Sequence, residues 1–264
     1  MEPSPLPAGE ITGTVLLYSR PEPLNPELHG KIGLKRLDNP FAFAATTHLI
    51  PLTVTEFQPA ALSYPVIFVG GDFTPVGVMG LREGENLYLT DTSGTDPEIY
   101  VPAYVRRYPF VFANDQTSDR MILCIDRGAA HLAEDGGDVP LFSGTEPTDY
   151  TKNAMEFCRE FEGERRRTED FVKLLRDLDL FEVKQAVFTP PTADGSPGQP
   201  QVLAEYFAVS EDKLGKLPQE KLIELFQNGA LQQIYAHLLS LLGWERLVVR
   251  AMTRQQQGAA AGNA

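Results

Sequence analysis

The hydrophobic period of this chain changes near residue 145, and that change limits the fold more than any single motif. Before it, apolar residues come in short runs separated by turn chemistry; after it, they recur at i, i+3, i+4 and i+7. Side chains alternate faces along a strand and return every 3.6 residues along a helix, so the two halves call for different elements. A chain that keeps strands and helices in separate stretches reads as α+β, with an antiparallel β-rich N-terminal part forming a sheet, sandwich or barrel-like body.

The strand candidates of the first part are Thr47 to Val54, Val66 to Gly70, Val76 to Leu81, Asn86 to Thr90, Phe110 to Ala113 and Met121 to Asp126. Gly70-Gly71-Asp72, Arg82 to Glu85, Thr92-Ser93-Gly94 and Asn114 to Asp119 supply the turns between them. In the second part Met155, Cys158 and Phe161 make one helical stripe, and Phe171, Leu174, Leu175 and Leu178 make another. Thr168, followed by Glu169 and Asp170, is the expected N-cap of the second. A further β-pair is expected at Val183 to Thr189 and Gln201 to Val209. Pro218 marks a helix start and Gly229 a helix stop. The last helical stretch carries Leu231, Ile234, Leu238, Leu241, Leu242 and Trp244 to Leu247, with Leu238 and Leu242 expected on its buried face.

These elements give a proline-rich arm at residues 1–27, with a short strand candidate at Thr12 to Tyr18. A single globular domain follows at 28–254, then a disordered tail at 255–264 of glutamine, alanine and glycine. With 42% hydrophobic residues the domain can build a core of its own.

No stretch reaches the 18 or so apolar residues that a membrane-spanning helix needs. Pro40 to Thr55 and Phe57 to Gly71 are long uncharged runs, but His48, Pro51, Gln58, Pro59, Ser63 and Pro65 interrupt them. The N-terminus lacks the basic and apolar regions of a cleaved secretory signal, so a soluble, cytoplasmic protein is expected; export by a route without such a signal stays open. The net charge of −13 repels a phosphate backbone, so nucleic acid is not an expected partner. Cys124 and Cys158 sit in apolar surroundings and read as buried free thiols rather than a disulfide or a metal knuckle.

Three segments carry a resemblance. The first is Phe41-Ala42-Phe43-Ala44 with Ile50-Pro51-Leu52, Glu56-Phe57 and Tyr64 to Phe68. The second, of the most unusual composition, runs from Tyr100 to Phe110 and is followed by Leu123 to Asp126. The third is Ile234-Tyr235-Ala236-His237-Leu238. Together, in order and spacing from about His29 to Leu247, the chain resembles the SapC family of bacterial proteins. Arg127 departs from the pattern, where an acidic residue is expected. The resemblance implies surface-layer biology and genes that travel with TonB-dependent receptors, flavin halogenase-like and cupin-like proteins. It carries over no catalytic residue. A peptide-transporter permease that shares the family's name is excluded by the lack of spanning segments.

No motif supplies an activity. None of His29, His48, His131 and His237 is followed two residues later by Asp or Glu, as an iron facial triad on a β-scaffold would ask. His131 and Glu134 could share a helical turn, but a surface histidine is the preferred reading. His48 and Glu56 would stand about 26 Å apart on one continuous strand, and can meet only if Pro51 breaks it. His237 flanks an apolar stripe and reads as a hydrogen-bonded core-edge histidine. There is no Gly-x-Ser-x-Gly elbow and no phosphate-binding glycine fingerprint. Arg165 to Arg167, among acidic residues, read as a solvated helix face.

The expected ligand-binding residues are therefore Tyr100, Tyr104, Arg106, Arg107, Tyr108 and Asp126. Adjacent arginines on a strand point opposite ways, so one is held inside among aromatic rings, paired with a carboxylate such as Asp126 or gripping a ligand. No cofactor and no metal is assigned. The expected function is an accessory or binding protein whose ligand is a protein or small molecule of surface or uptake systems. The alternative is an enzyme, an atypical cupin or iron/2-oxoglutarate oxygenase-like β-helix protein.

Overall fold

In a computed structural model that describes residues 15–90, 98–115, 120–190, 192, 196 and 198–261, helix makes up 39% and strand 23%. Every strand pair is antiparallel, so the chain is α+β. It divides into two compact units. One takes Met1–Pro40 and Arg106–Gly163; the other takes Phe41–Val105 and Glu164–Ala264.

The first unit is built on a three-stranded sheet in which Arg120–Asp126 lies between Phe110–Asp115 and Pro21–Pro23. Proline can serve at that edge because its missing N–H faces away from the ladder. Residues 18–23, expected as part of a loose arm, thus belong to the unit. Of the strand candidate Thr12 to Tyr18, the described part, Val15 to Tyr18, is a turn with Leu17 at φ 73; the rest lies outside the described residues. Ile32, Leu34, Phe110, Leu123, Ile125, Leu141, Phe142 and Cys158 form its main core. Cys124 and Cys158 are free and buried, as expected.

The second unit holds a five-stranded sheet in the order Phe181–Phe188, Gln201–Val209, Val66–Val69, Thr74–Val78, Leu49–Pro51. The expected pair Val183 to Thr189 and Gln201 to Val209 is present, registered Phe181 to Val209. Other strand expectations shorten or fail, and Val76 to Leu81 ends at Val78. Thr47 to Val54 pairs only over Leu49–Pro51, because Thr53 and Glu56 form a capping box that starts a helical turn. Asn86 to Thr90 is not a strand: the Asn86 side chain accepts from the backbone N–H groups of Tyr88 (2.9 Å) and Leu89 (2.8 Å) and folds the segment into a turn. Phe57, Phe68, Phe171 and Phe181 meet edge-on in its core.

One helix, Asp149–Asp177, replaces the two that were expected. Thr168 is not a cap but a buried mid-helix residue, whose hydroxyl donates to Glu164 O (2.7 Å) and accepts from Val54 N–H (2.8 Å). Thr148 stands at the true N-terminus, its hydroxyl accepting from Thr151 N–H at 3.4 Å. Arg165 to Arg167 are exposed, and Arg165 pairs with Glu169 and Arg167 with Glu164.

The C-terminal stretch is likewise two helices, Ala230–Ser240 and Gly243–Ala261. At the start of the second, Gly243 passes close to Pro65, from which a Cβ would lie 3.2 Å away. Gly229, at φ 78, closes the preceding helix as expected. The buried face of Ala230–Ser240 is Ala230, Ile234, Ala236, His237 and Ser240. Leu238 is half-buried and Leu242 is 75% exposed, so the face expected for those two leucines is corrected. Helix also continues past Gln255 to Ala261, in place of the expected disorder. Among the described residues no helix is long and apolar enough to cross a membrane.

Candidate functional site

The six residues singled out in the sequence are divided between the two units. Tyr100 and Tyr104 belong to the second unit. The Tyr100 hydroxyl donates to Glu56 Oε1 at 2.9 Å, and Ala103 N–H donates to the same oxygen at 2.6 Å. Glu56 Oε2 accepts from the Thr53 N–H and hydroxyl, both at 2.8 Å. Both oxygens of this buried carboxylate are thus engaged, and they tie the Tyr100 segment to the capped turn at Thr53. Tyr104 is buried.

Arg106, Arg107, Tyr108 and Asp126 belong to the first unit. Ala103–Arg106 is a helical turn rather than a strand, yet the two arginines still diverge, Arg106 exposed and Arg107 buried. The Arg107 guanidinium lies 4.3 Å from the Phe161 ring centroid and 5.8 Å from that of Tyr18, with Nη1 3.6 Å from Glu162 Oε1. Its carboxylate partner is therefore Glu162, not Asp126. Arg106 stacks over Phe157 at 5.2 Å.

Asp126 is occupied by neutral donors instead. Its oxygens accept from the backbone N–H groups of Ser19 (2.9 Å), Arg20 (2.7 Å) and Gly128 (3.0 Å), from the Ser19 hydroxyl and from the Tyr108 hydroxyl (3.1 Å). Burial alone would raise its pKa, but these donors outweigh burial and hold it below the usual carboxylate range. Tyr108 is pushed upward by burial and by the adjacent Asp126 charge. Arg127, the departure from the family pattern, bridges Glu22 (3.3 Å) and Glu134 (3.0 Å).

Three of the histidines have ring nitrogens in hydrogen bonds. His29 is buried, with Nε2 2.8 Å from Glu22. His131 Nε2 lies 2.8 Å from Pro40 O, while Glu134 pairs with Arg127, so the two do not share a site. Pro51 does end the strand after His48, but Glu56 is used as described. His237 is fully buried: its Nε2 accepts from Val209 N–H (3.1 Å) and its Nδ1 donates to Val66 O (2.8 Å). Among the described residues no group of three or more His, Cys, Asp or Glu is placed to hold a metal ion.

An arrangement the sequence reading missed lies in the second unit, along the helix Gly243–Ala261. A recess of about 700 Å³ is lined there by residues that include Leu87, Val249, Arg246, Arg250 and Arg254, with Glu245 also on its wall. The arginines recur every four residues, which puts them on one face about 6 Å apart along the axis. Each is held by backbone carbonyls: Arg246 donates to Leu62 O (2.9 Å), Arg250 to Leu87 O (3.5 Å) and Arg254 to Asn86 O (2.6 Å). The Arg250 guanidinium also lies 4.5 Å over the Tyr88 ring. Tyr88 is raised by burial, against the lowering pull of Arg250 and Arg246. The i, i+4, i+8 arginine spacing was the available signal.

A family model described as SapC matches residues 24–247. No curated protein and no solved structure matches the chain.

Proposed function

Since the chain belongs to the SapC family, we propose that it is an accessory binding protein of bacterial surface-layer or TonB-dependent receptor systems, and that the arginine-lined recess is its binding surface. Family membership supports the link to surface systems. The recess supports binding: its volume of about 700 Å³ lies within the range of ligand sites, and it combines an apolar wall with a few convergent charges. In this reading the Tyr100 to Asp126 residues stabilise the fold, and Arg106, exposed over Phe157, is the one whose position suits contact with a partner. Two buried free thiols suit a reducing compartment, and the cytoplasm is the proposed location.

The test is genetic and quantitative. In cells deleted for the gene, surface-layer protein and TonB-dependent receptors are measured in the outer-membrane fraction, with complementation by the parent or by Arg254→Gln. Reduced levels, restored by the parent and not by the variant, are expected. Unchanged levels in the deletion overturn the surface link, and full complementation by the variant overturns the recess. Stoichiometric iron in protein purified without chelator would favour an oxygenase instead.

A further inference from the structure

We propose that the recess along the last helix takes a small organic ligand carrying at least two anionic groups, phosphate or carboxylate, set to meet successive arginines about 6 Å apart. The inference rests on the reading of the recess as the binding surface and adds the chemistry of what it holds.

Arg246 and Arg254 take part in no ion pair among the described residues. Their printed partners are carbonyls: Leu62 O and Ala61 O for Arg246, Asn86 O for Arg254. A carbonyl fixes the direction of a guanidinium without cancelling its charge. Each guanidinium has five donors, and these contacts use only part of them. The side chains are thus oriented before any ligand arrives, which lowers the ordering cost of binding.

Leu87 and Val249 give the recess an apolar wall, which suits an organic body better than a bare inorganic ion. A net charge of −13 repels long polyanions before they dock, so a short ligand that senses only the local arginines is selected over nucleic acid. Glu245 on the same wall disfavours a further anionic group beside it. The plain alternative is that the three arginines only fasten the helix to the carbonyls of residues 61–62 and 86–87. That role would give no anion dependence.

Isothermal titration of the full chain at low ionic strength uses three probes: inorganic phosphate, tripolyphosphate and citrate. Tripolyphosphate or citrate should bind at least tenfold more tightly than phosphate, and more weakly as salt is added. Whichever of the two binds better identifies phosphate or carboxylate as the preferred group. Arg254→Gln, at an exposed position, should lose at least tenfold in affinity with an unchanged melting midpoint, and Glu245→Gln should gain affinity. No binding of tripolyphosphate or citrate, or equal binding by parent, Arg254→Gln and Arg246→Gln, overturns the proposal. If the anions fail to bind while Arg254→Gln still fails to complement in cells, the ligand class falls and the recess as binding surface stands.

Discussion

His237 shows how much a single side chain can hold. Gln201–Val209 and Val66–Val69 share one registered pair, Phe207 with Phe68. The Val66 groups beyond it are met by helix side chains: His237 Nδ1 donates to Val66 O, and Ser240 Oγ accepts from Val66 N–H at 2.8 Å. Burial pushes the His237 pKa down to about 4 from 6.5. Above pH 6.5 the ring is neutral in both states and its stabilisation is complete. As pH falls from 6.5 towards 4, the unfolded chain binds a proton that the folded chain refuses, and about 3 kcal/mol is lost. His131, also lowered by burial, acts in the same direction. Urea unfolding across this range should therefore show falling stability in the parent and a shallower slope in His237→Phe. Parallel curves would refute the assignment. Arg107 gives a second test at this scale. Arg107→Gln strands the half-buried Glu162 and should cost about 3 kcal/mol; a variant that melts like the parent but loses function would make Arg107 a ligand clamp. That one of the two arginines is buried could be read from their aromatic setting in an acidic chain. Its partner could not, because Glu162 is 55 positions away and lies on a helix face that only the fold defines.

Elements were legible where one rule dominated. The Gln201–Val209 strand and the Pro218 and Gly229 boundaries follow from β-type residues and from punctuation by proline and glycine. Boundaries failed where a polar side chain competed with the regular pattern, as Asn86 and the Thr53/Glu56 box do. The arginine stripe escaped notice for a related reason: glutamine and alanine after residue 254 looked like a loose tail, although both are good helix formers. The face of Ala230–Ser240 was misjudged because Leu239 and Leu242 are apolar yet exposed, whereas His237 and Ser240 are polar yet buried. Periodicity of apolar residues cannot rank such positions. Thermal melts will check the corrected face. Ile234→Ala, fully buried, should cost about 2 to 5 kcal/mol. Leu242→Ala, largely exposed, should stay within about 0.5 kcal/mol of the parent. The reverse ranking would restore the leucine face.

At the scale of the whole molecule the question is whether the two units unfold together. The chain passes between them more than once, and the last passage lies inside the Asp149–Asp177 helix, at Gly163 and Glu164. The helix is continuous through Gly163 and Glu164, so melting either end of it exposes carbonyls and N–H groups of the other. Helix formation is cooperative, and a half-helix loses the tertiary packing that sustains it. Cys158 sits on the helix within the first unit, and Cys124 lies in the sheet of the same unit; burial raises both thiols to about 11. At pH 8 native thiols should therefore be almost inert to a disulfide reagent. Their exposure reports opening of the first unit, while far-ultraviolet circular dichroism weighs the second, which holds most of the helix. In urea the two signals should share one midpoint. If thiols become reactive at a urea concentration where most helical signal remains, the helix does not couple the units, and the first opens on its own.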